Sequence, residues 1–216
     1  MKLFVFDHCP FCIKAMMVAG YKQMDVEWVY LQNHDVAARI EKVGDNLVPI
    51  LQKDDGSYMA ESLDIAAYLD AFDGQPQLTP AEQDTRIAAW TDAARPFSGN
   101  LQFPRWMMID LPEFGSQAAK DWFINNKTAM IEQPFDQAFA RTDEYVVGLN
   151  ASYAMLDWLV LPSERHNRLS YDDVNLFPVL RNHTVINGVQ FPPRVRQYID
   201  EVAALTRIPL YDDVAV

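Results

Sequence analysis

Strand-forming sequence in this chain is confined almost entirely to residues 1–72, and this asymmetry limits the fold more than any other feature. Leu3 to Phe6 is a short apolar run closed by Asp7 and Pro10, which suits a buried strand. Ile13, Met16, Met17 and Gly20 follow at helical spacing and mark one face of a helix. Val26–Tyr30 is rich in β-branched and aromatic residues and predicts a second strand. The polar segment Asp35–Lys42 predicts a helix that Gly44 is placed to end. Val48-Pro49-Ile50-Leu51 and Tyr58-Met59 flank the turn signal Asp54-Asp55-Gly56, so they predict a hairpin. Ile65, Tyr68, Leu69 and Phe72 give a further helical face. The predicted order is β-α-β-α-β-β-α, a small α/β unit over residues 1–72.

Asp73-Gly74-Gln75-Pro76 interrupts that pattern and Thr79-Pro80 opens a new one, so residues 73–83 read as a linker. Residues 84–216 predict an all-helical domain. Val195, Tyr198, Ile199 and Val202 fall on one helical face, and Ser170 followed by Asp173 predicts a capping box. Pro104, Pro112, Pro134, Pro162 and Pro178 should divide the region into helices of modest length. The tryptophans Trp28, Trp90, Trp106, Trp122 and Trp158 are expected in core or domain packing, as are Met16 and Met17. For Arg105 a structural salt bridge is expected.

A net charge of −12 argues against nucleic acid and anionic membranes, because phosphate recognition depends on clustered Lys and Arg. No apolar run has the length of a membrane span, and the apolar stretch at the N-terminus is too short for a signal sequence. These readings place the chain in the cytoplasm. The chain has 2 cysteines, Cys9 and Cys12, which are too few and too close for a secreted disulfide scaffold. A zinc site would need two more ligands at suitable spacing, and His8, His34, His166 and His183 are scattered. Redox chemistry is the reading that remains, with no metal.

In Cys9-Pro10-Phe11-Cys12, Cys9 suits a helix N-cap and Pro10 the first helical position, where its missing N–H is no loss. Unpaired amides and the positive helix end then favour a thiolate at Cys9, the exposed thiol, over Cys12, the buried one. A fall in thiol pKa from ~8.5 to ~5.5 raises the thiolate fraction at pH 7 roughly 30-fold. Intrinsic nucleophilicity falls roughly 20-fold over the same range, so the net gain as an attacking group is small. The gain as a leaving group is large. The expected purpose of such tuning is release of Cys9 at the end of a catalytic cycle.

Cys9-Pro10-Phe11-Cys12 after a strand, Val48-Pro49 before another, and Glu61-Ser62 opening a helix together resemble the glutaredoxins and glutathione transferases. The length, the helical half, and the stretches Asp172–Asn182 and Phe191–Val195 extend the resemblance over the whole chain, to the long bacterial glutaredoxin-2 family. That resemblance implies a thioredoxin-like N-terminal domain and a glutathione-transferase-like all-α C-terminal domain. It also implies a cis bond before Pro49, although only about 5–6% of X–Pro bonds are cis in folded proteins. Glutathione is the implied co-substrate and electron donor. Cys9 and Cys12 are the implied catalytic residues, and Cys9, Phe11, Val48, Pro49, Glu61 and Ser62 the implied glutathione site. Ser62 as a helix N-cap, with Glu61 beside it, suits the carboxylate and ammonium of a γ-glutamyl group. The same two residues also suit a simple cap.

The chain departs from short glutaredoxins in having Phe6-Asp7-His8 where a Lys often precedes the motif, and Phe11 where a tyrosine is common. The partner of the glycyl carboxylate is left among His8, Asn33 and His34. The expected function is glutathione-dependent reduction of disulfide-containing and glutathionylated proteins by a monomer, with glutathione reductase acting indirectly. Two rivals are a glutathione transferase, which would consume a chloronitrobenzene-type electrophile, and a redox-sensing or iron–sulfur module, which would purify as a coloured dimer.

Overall fold

The computed structural model describes residues 1–216. Two compact units divide the chain. The first is Met1–Gln77 with Asp110–Phe123 and Thr206–Ile208, and the second is Leu78–Ile109 with Ile124–Leu205 and Pro209–Val216. The first unit's main stretch ends at Gln77. That unit also takes in two segments from the helical half.

The first unit follows the predicted order: β1 (Lys2–Val5), α1 (Pro10–Tyr21), β2 (Glu27–Tyr30), α2 (Val36–Val43), β3 (Ile50–Gln52), β4 (Tyr58–Met59) and α3 (Ser62–Ala71). The sheet order is β2-β1-β3-β4, with β1 parallel to β2 and antiparallel to β3. In β1, Leu3, Phe4 and Val5 are all buried, as a central strand covered on both faces requires. Asp35 caps α2 by accepting from the Ala38 amide, and Gly44 ends it in the left-handed region at φ 77°.

α1 is buried well beyond the single face that its spacing predicts: Cys12, Ile13, Ala15, Met16, Met17, Val18 and Ala19 are all inside. Gly20 explains part of this. A β-carbon there would lie 1.8 Å from the Thr206 carbonyl oxygen, so only glycine lets the Thr206–Ile208 segment seat against the helix.

Six helices form the second half: α4 (Asp84–Trp106), α5 (Gln117–Ile131), α6 (Phe135–Ala140), α7 (Thr142–Ser152), α8 (Tyr171–His183) and α9 (Pro193–Thr206). Val195, Tyr198, Ile199 and Val202 are buried together on α9, as their spacing predicts. The Ser170 amide donates to Asp173, whose carboxylate also accepts from the Tyr198 hydroxyl and from Nη1 and Nη2 of Arg165. Prolines divide the region less than expected. Pro112, Pro134 and Pro162 sit at element starts, whereas Pro104 and Pro178 lie inside α4 and α8, as does Pro96 in α4. Pro104 and Pro178 lie on the buried faces of these helices, whose packing offsets a proline penalty of roughly 3 kcal/mol.

Trp90 and Trp106 are core residues as expected, but Trp122 is 42% exposed. Arg105 is buried, and no Asp or Glu pairs with it. Its guanidinium donates to the Leu101 carbonyl, to the main-chain oxygen of Val216 and to the Thr142 hydroxyl, and burial lowers its pKa to about 10. No helix is long and apolar enough to cross a membrane.

Candidate functional site

The turn between β1 and α1 carries both cysteines, and both are free thiols. Cys9 is the N-cap of α1, with extended backbone angles, and Pro10 takes the first turn, as the sequence predicts. Cys9 is half-buried and Cys12 fully buried. The Cys9 pKa is lowered to about 6. A hydrogen bond from the Cys12 thiol is the main cause, working against burial, and the charge of His8 and the Cys12 and Phe11 amides add to it. The amides were expected to lead. No side-chain cap hydrogen bond forms at Cys9, and the neighbouring thiol does most of the work.

Cys12 shifts the opposite way, well above an ordinary thiol. Burial is the first cause, followed by its hydrogen bond to Cys9 and the Cys9 charge. The Phe6 amide, which donates to the Cys12 sulfur at 3.3 Å, works against them, and the charge of Glu113 adds to them. The pair is therefore split into one thiolate and one thiol near neutral pH.

The other residues that the sequence singles out lie in α1, ahead of β3 and at the start of α3. Phe11 follows Cys9 by two positions and is 56% exposed, with Lys14 over its ring at 5.5 Å. Val48 is half-buried and Pro49 buried, and the peptide bond between them is cis. α3 begins one residue earlier than expected: Ser62 is its first residue and Glu61 is the cap, without a side-chain cap bond. Glu61 is exposed and has φ 68°, a backbone region that side chains disfavour. Its conformation leaves the carboxylate and the first α3 amides without a partner from a cap, an arrangement suited to a zwitterionic group.

Of the three candidates for the glycyl carboxylate, His8 is already engaged. Its ring Nδ1 lies 2.6 Å from Glu113 Oε1, and its backbone amide donates to the same oxygen at 3.0 Å. Asn33 is buried, its amide donating to the Glu113 carbonyl and its own carbonyl accepting from Arg39. His34 Nδ1 is buried with no partner. Glu113 was not foreseen: it is far from the motif in sequence, and no local pattern marks it.

A family model described as "Glutaredoxin 2, C terminal domain" matches residues 86–215, and one described as "Glutathione S-transferase, N-terminal domain" matches residues 3–77. Glutaredoxin 2 of Escherichia coli strain K12 is 38% identical over 217 residues, covering 100% of both chains. The chain belongs to the glutaredoxin 2 family. The crystal structure of glutaredoxin 2 from Salmonella typhimurium in complex with glutathione has a TM-score of 0.92 at 38% identity, covering 100% of this chain and 98% of that one. A glutathione transferase from Phanerochaete chrysosporium superposes with a TM-score of 0.69 at 15% identity over 94% of this chain and 96% of its own, a likeness of fold. The first 77 residues are thus thioredoxin-like, as in glutathione transferases, and the helical half has the architecture of the same fold.

Proposed function

We propose that this chain is a glutathione-disulfide oxidoreductase in which Cys9 is the attacking thiol and Cys12 the resolving one. The observation that carries the reading is the opposed tuning of the two sulfurs, with Cys9 at about 6 and Cys12 well above an ordinary thiol. At pH 7 a thiol of pKa about 6 is roughly 90% thiolate, against about 1% at an ordinary value near 9. Membership of the glutaredoxin 2 family, and a relative solved with glutathione, support the same reading.

The Cys9 thiolate attacks the glutathione sulfur of a mixed disulfide, forming Cys9–S–S–glutathione and expelling the substrate thiolate. A second glutathione thiolate then attacks the bound glutathione sulfur, releasing oxidised glutathione and the Cys9 thiolate. With a protein disulfide, the Cys9 thiolate attacks one protein sulfur and frees the other; Cys12 then loses its proton and attacks Cys9, expelling the second protein thiolate and leaving the internal disulfide, which two glutathiones reduce with release of oxidised glutathione. The low Cys9 pKa speeds each step in which that sulfur leaves.

Glutathione lies along Val48-Pro49, pairing its backbone with that of Val48 like an added strand. Its γ-glutamyl group meets Glu61 and the Ser62 end of α3, and Phe11 walls the sulfur. The division of labour runs with the sequence: residues 1–72 carry the chemistry, 73–83 link, and 84–216 form the helical part. We place the enzyme in the reducing cytoplasm as a monomer acting on glutathionylated or disulfide-bonded proteins, with glutathione reductase renewing the donor.

The test is glutathione-coupled reduction of a small glutathione mixed disulfide by wild type, Cys9→Ser and Cys12→Ser. Activity lost in Cys9→Ser and kept in Cys12→Ser supports the scheme. Inactivity of wild type, or an active Cys9→Ser, contradicts it.

A further inference from the structure

Glu113 has no role in the scheme above, yet it is the most deeply buried acidic group near the cysteines, at 0% exposure. It lies in the 3-10 turn Pro112–Phe114, which belongs to the first compact unit although it comes from the helical half of the sequence. Hydrogen bonds fasten this turn beside β2 and α2: Gln32 donates to the Pro112 carbonyl at 2.9 Å, and the Asn33 amide to the Glu113 carbonyl at 2.9 Å. The Glu113 side chain then reaches the turn ahead of Cys9. One oxygen takes both the backbone amide and the ring Nδ1 of His8, and the other is buried without a partner.

The surroundings of His8 are otherwise aromatic. Its ring stacks on Phe6 and Phe114, with centroids at 5.9 and 5.1 Å, and meets the edge of Phe123 at 5.2 Å. A carboxylate in such a box costs several kcal/mol unless it is paired, and a buried ion pair gives little net stability over a hydrophobic replacement. Stability alone therefore does not account for it. Placement does, since His8 is bonded in the chain to Cys9.

We propose that Glu113 is a positioning residue for the redox pair, its carboxylate fixing the His8 backbone and imidazole so that the ring is held against the cysteine turn. The proposal rests on Cys9 and Cys12 being the working thiols. His8 and Glu113 also act on the two sulfurs in opposite senses: the His8 charge favours the Cys9 thiolate, and the Glu113 charge disfavours a Cys12 thiolate. The titratable groups around the ring are Glu113, Cys9 and Cys12, with Asp7 next in the chain and Arg39 packed on the Phe6 ring at 5.3 Å.

Opposite senses give a signature that a merely structural residue lacks. In Glu113→Gln, the Cys9 thiolate midpoint should rise by about 1 pH unit, because the ring loses its anionic partner. The Cys12 midpoint should fall in the same variant. Thiolate absorbance in the ultraviolet reads the first in a Cys12→Ser background and the second in a Cys9→Ser background, using the full chain. If Glu113→Gln does not fold, His8→Asn serves instead, because an asparagine amide can still donate to Glu113 but carries no charge; Cys9 should again rise by about 1 unit. A Cys9 midpoint that stays put or falls in a folded variant overturns the proposal. Titration needs no turnover, so loss of the glutathione reading itself would show separately, as an inactive wild type whose Cys9 still titrates low.

Discussion

Two buried histidines, one in each compact unit, show how little burial alone decides. His183 sits between hydroxyls: Nε2 is 2.9 Å from Ser98 Oγ, and Nδ1 is 2.9 Å from Tyr153 OH. Trp90 and Tyr153 pack on its ring, and burial lowers its pKa to about 3. It is neutral at every physiological pH, a polar pin in the helical unit. His8 is nearly as buried, but it has a carboxylate on one nitrogen and a reactive thiol as its chain neighbour. The partner, more than the depth, separates a structural histidine from one that bears on chemistry.

Changes in either cluster should stay in that cluster. The largest effect belongs to the first: Cys9→Ser should reduce turnover of a glutathione mixed disulfide by at least about 10³-fold. Its resistance to acid should match wild type between pH 6.5 and 3, the window that belongs to His183. A parallel loss of acid stability, measured by urea unfolding, would mean that the two clusters are not independent.

His183→Ala comes next. At pH 7 it should cost about 3 kcal/mol, because Tyr153 OH loses its partner and a cavity opens. The pH dependence has a definite sign. Between pH 6.5 and about 3 the unfolded chain binds a proton at His183 that the folded chain does not, so wild-type stability falls as pH falls through that window. The alanine variant lacks this loss, and its deficit should shrink at pH 4.5. An equal deficit at pH 7 and pH 4.5 in urea melts would contradict this assignment.

Gly20→Ala should cost a similar or slightly smaller amount, about 2–3 kcal/mol, through a clash with the Thr206 carbonyl. Because Gly20 is on α1, this variant should also raise the Cys9 midpoint or broaden it, while leaving the His183 acid limb in place. Unchanged thermal stability would show that the Thr206 segment yields freely. Glu61→Gly is the gentlest: relief of the positive φ should add up to about 1 kcal/mol. If Glu61 holds the γ-glutamyl group, KM for glutathione should rise several-fold in the same protein; an unchanged KM removes Glu61 from the site.

What was legible in the sequence was local. The strands and helices of residues 1–72, the Gly44 stop and the Ser170–Asp173 cap depend on neighbours within a few positions, so periodicity and turn chemistry reveal them. The cysteine motif on a helix start is local too. Contacts across the chain were not legible. Glu113 reaches His8 over 105 positions, and Gly20 reads as one more apolar position until the Thr206 carbonyl lies against it. Pro104 and Pro178 read as breaks because proline weakens a helix locally, yet packing of α4 and α8 keeps both helices continuous. The cap at Glu61 was misplaced onto Ser62 because serine is the commoner cap.

The most direct test of the account is to mix the reduced Cys12→Ser protein with oxidised glutathione and locate the adduct by mass spectrometry, alongside Cys9→Ser. The account predicts one glutathione on Cys9, formed rapidly at pH 7 and cleared by reduced glutathione with release of oxidised glutathione, and almost no adduct on Cys12 in the other variant. Modification of Cys12 at a comparable rate, or a Cys9 that takes no glutathione, would contradict it.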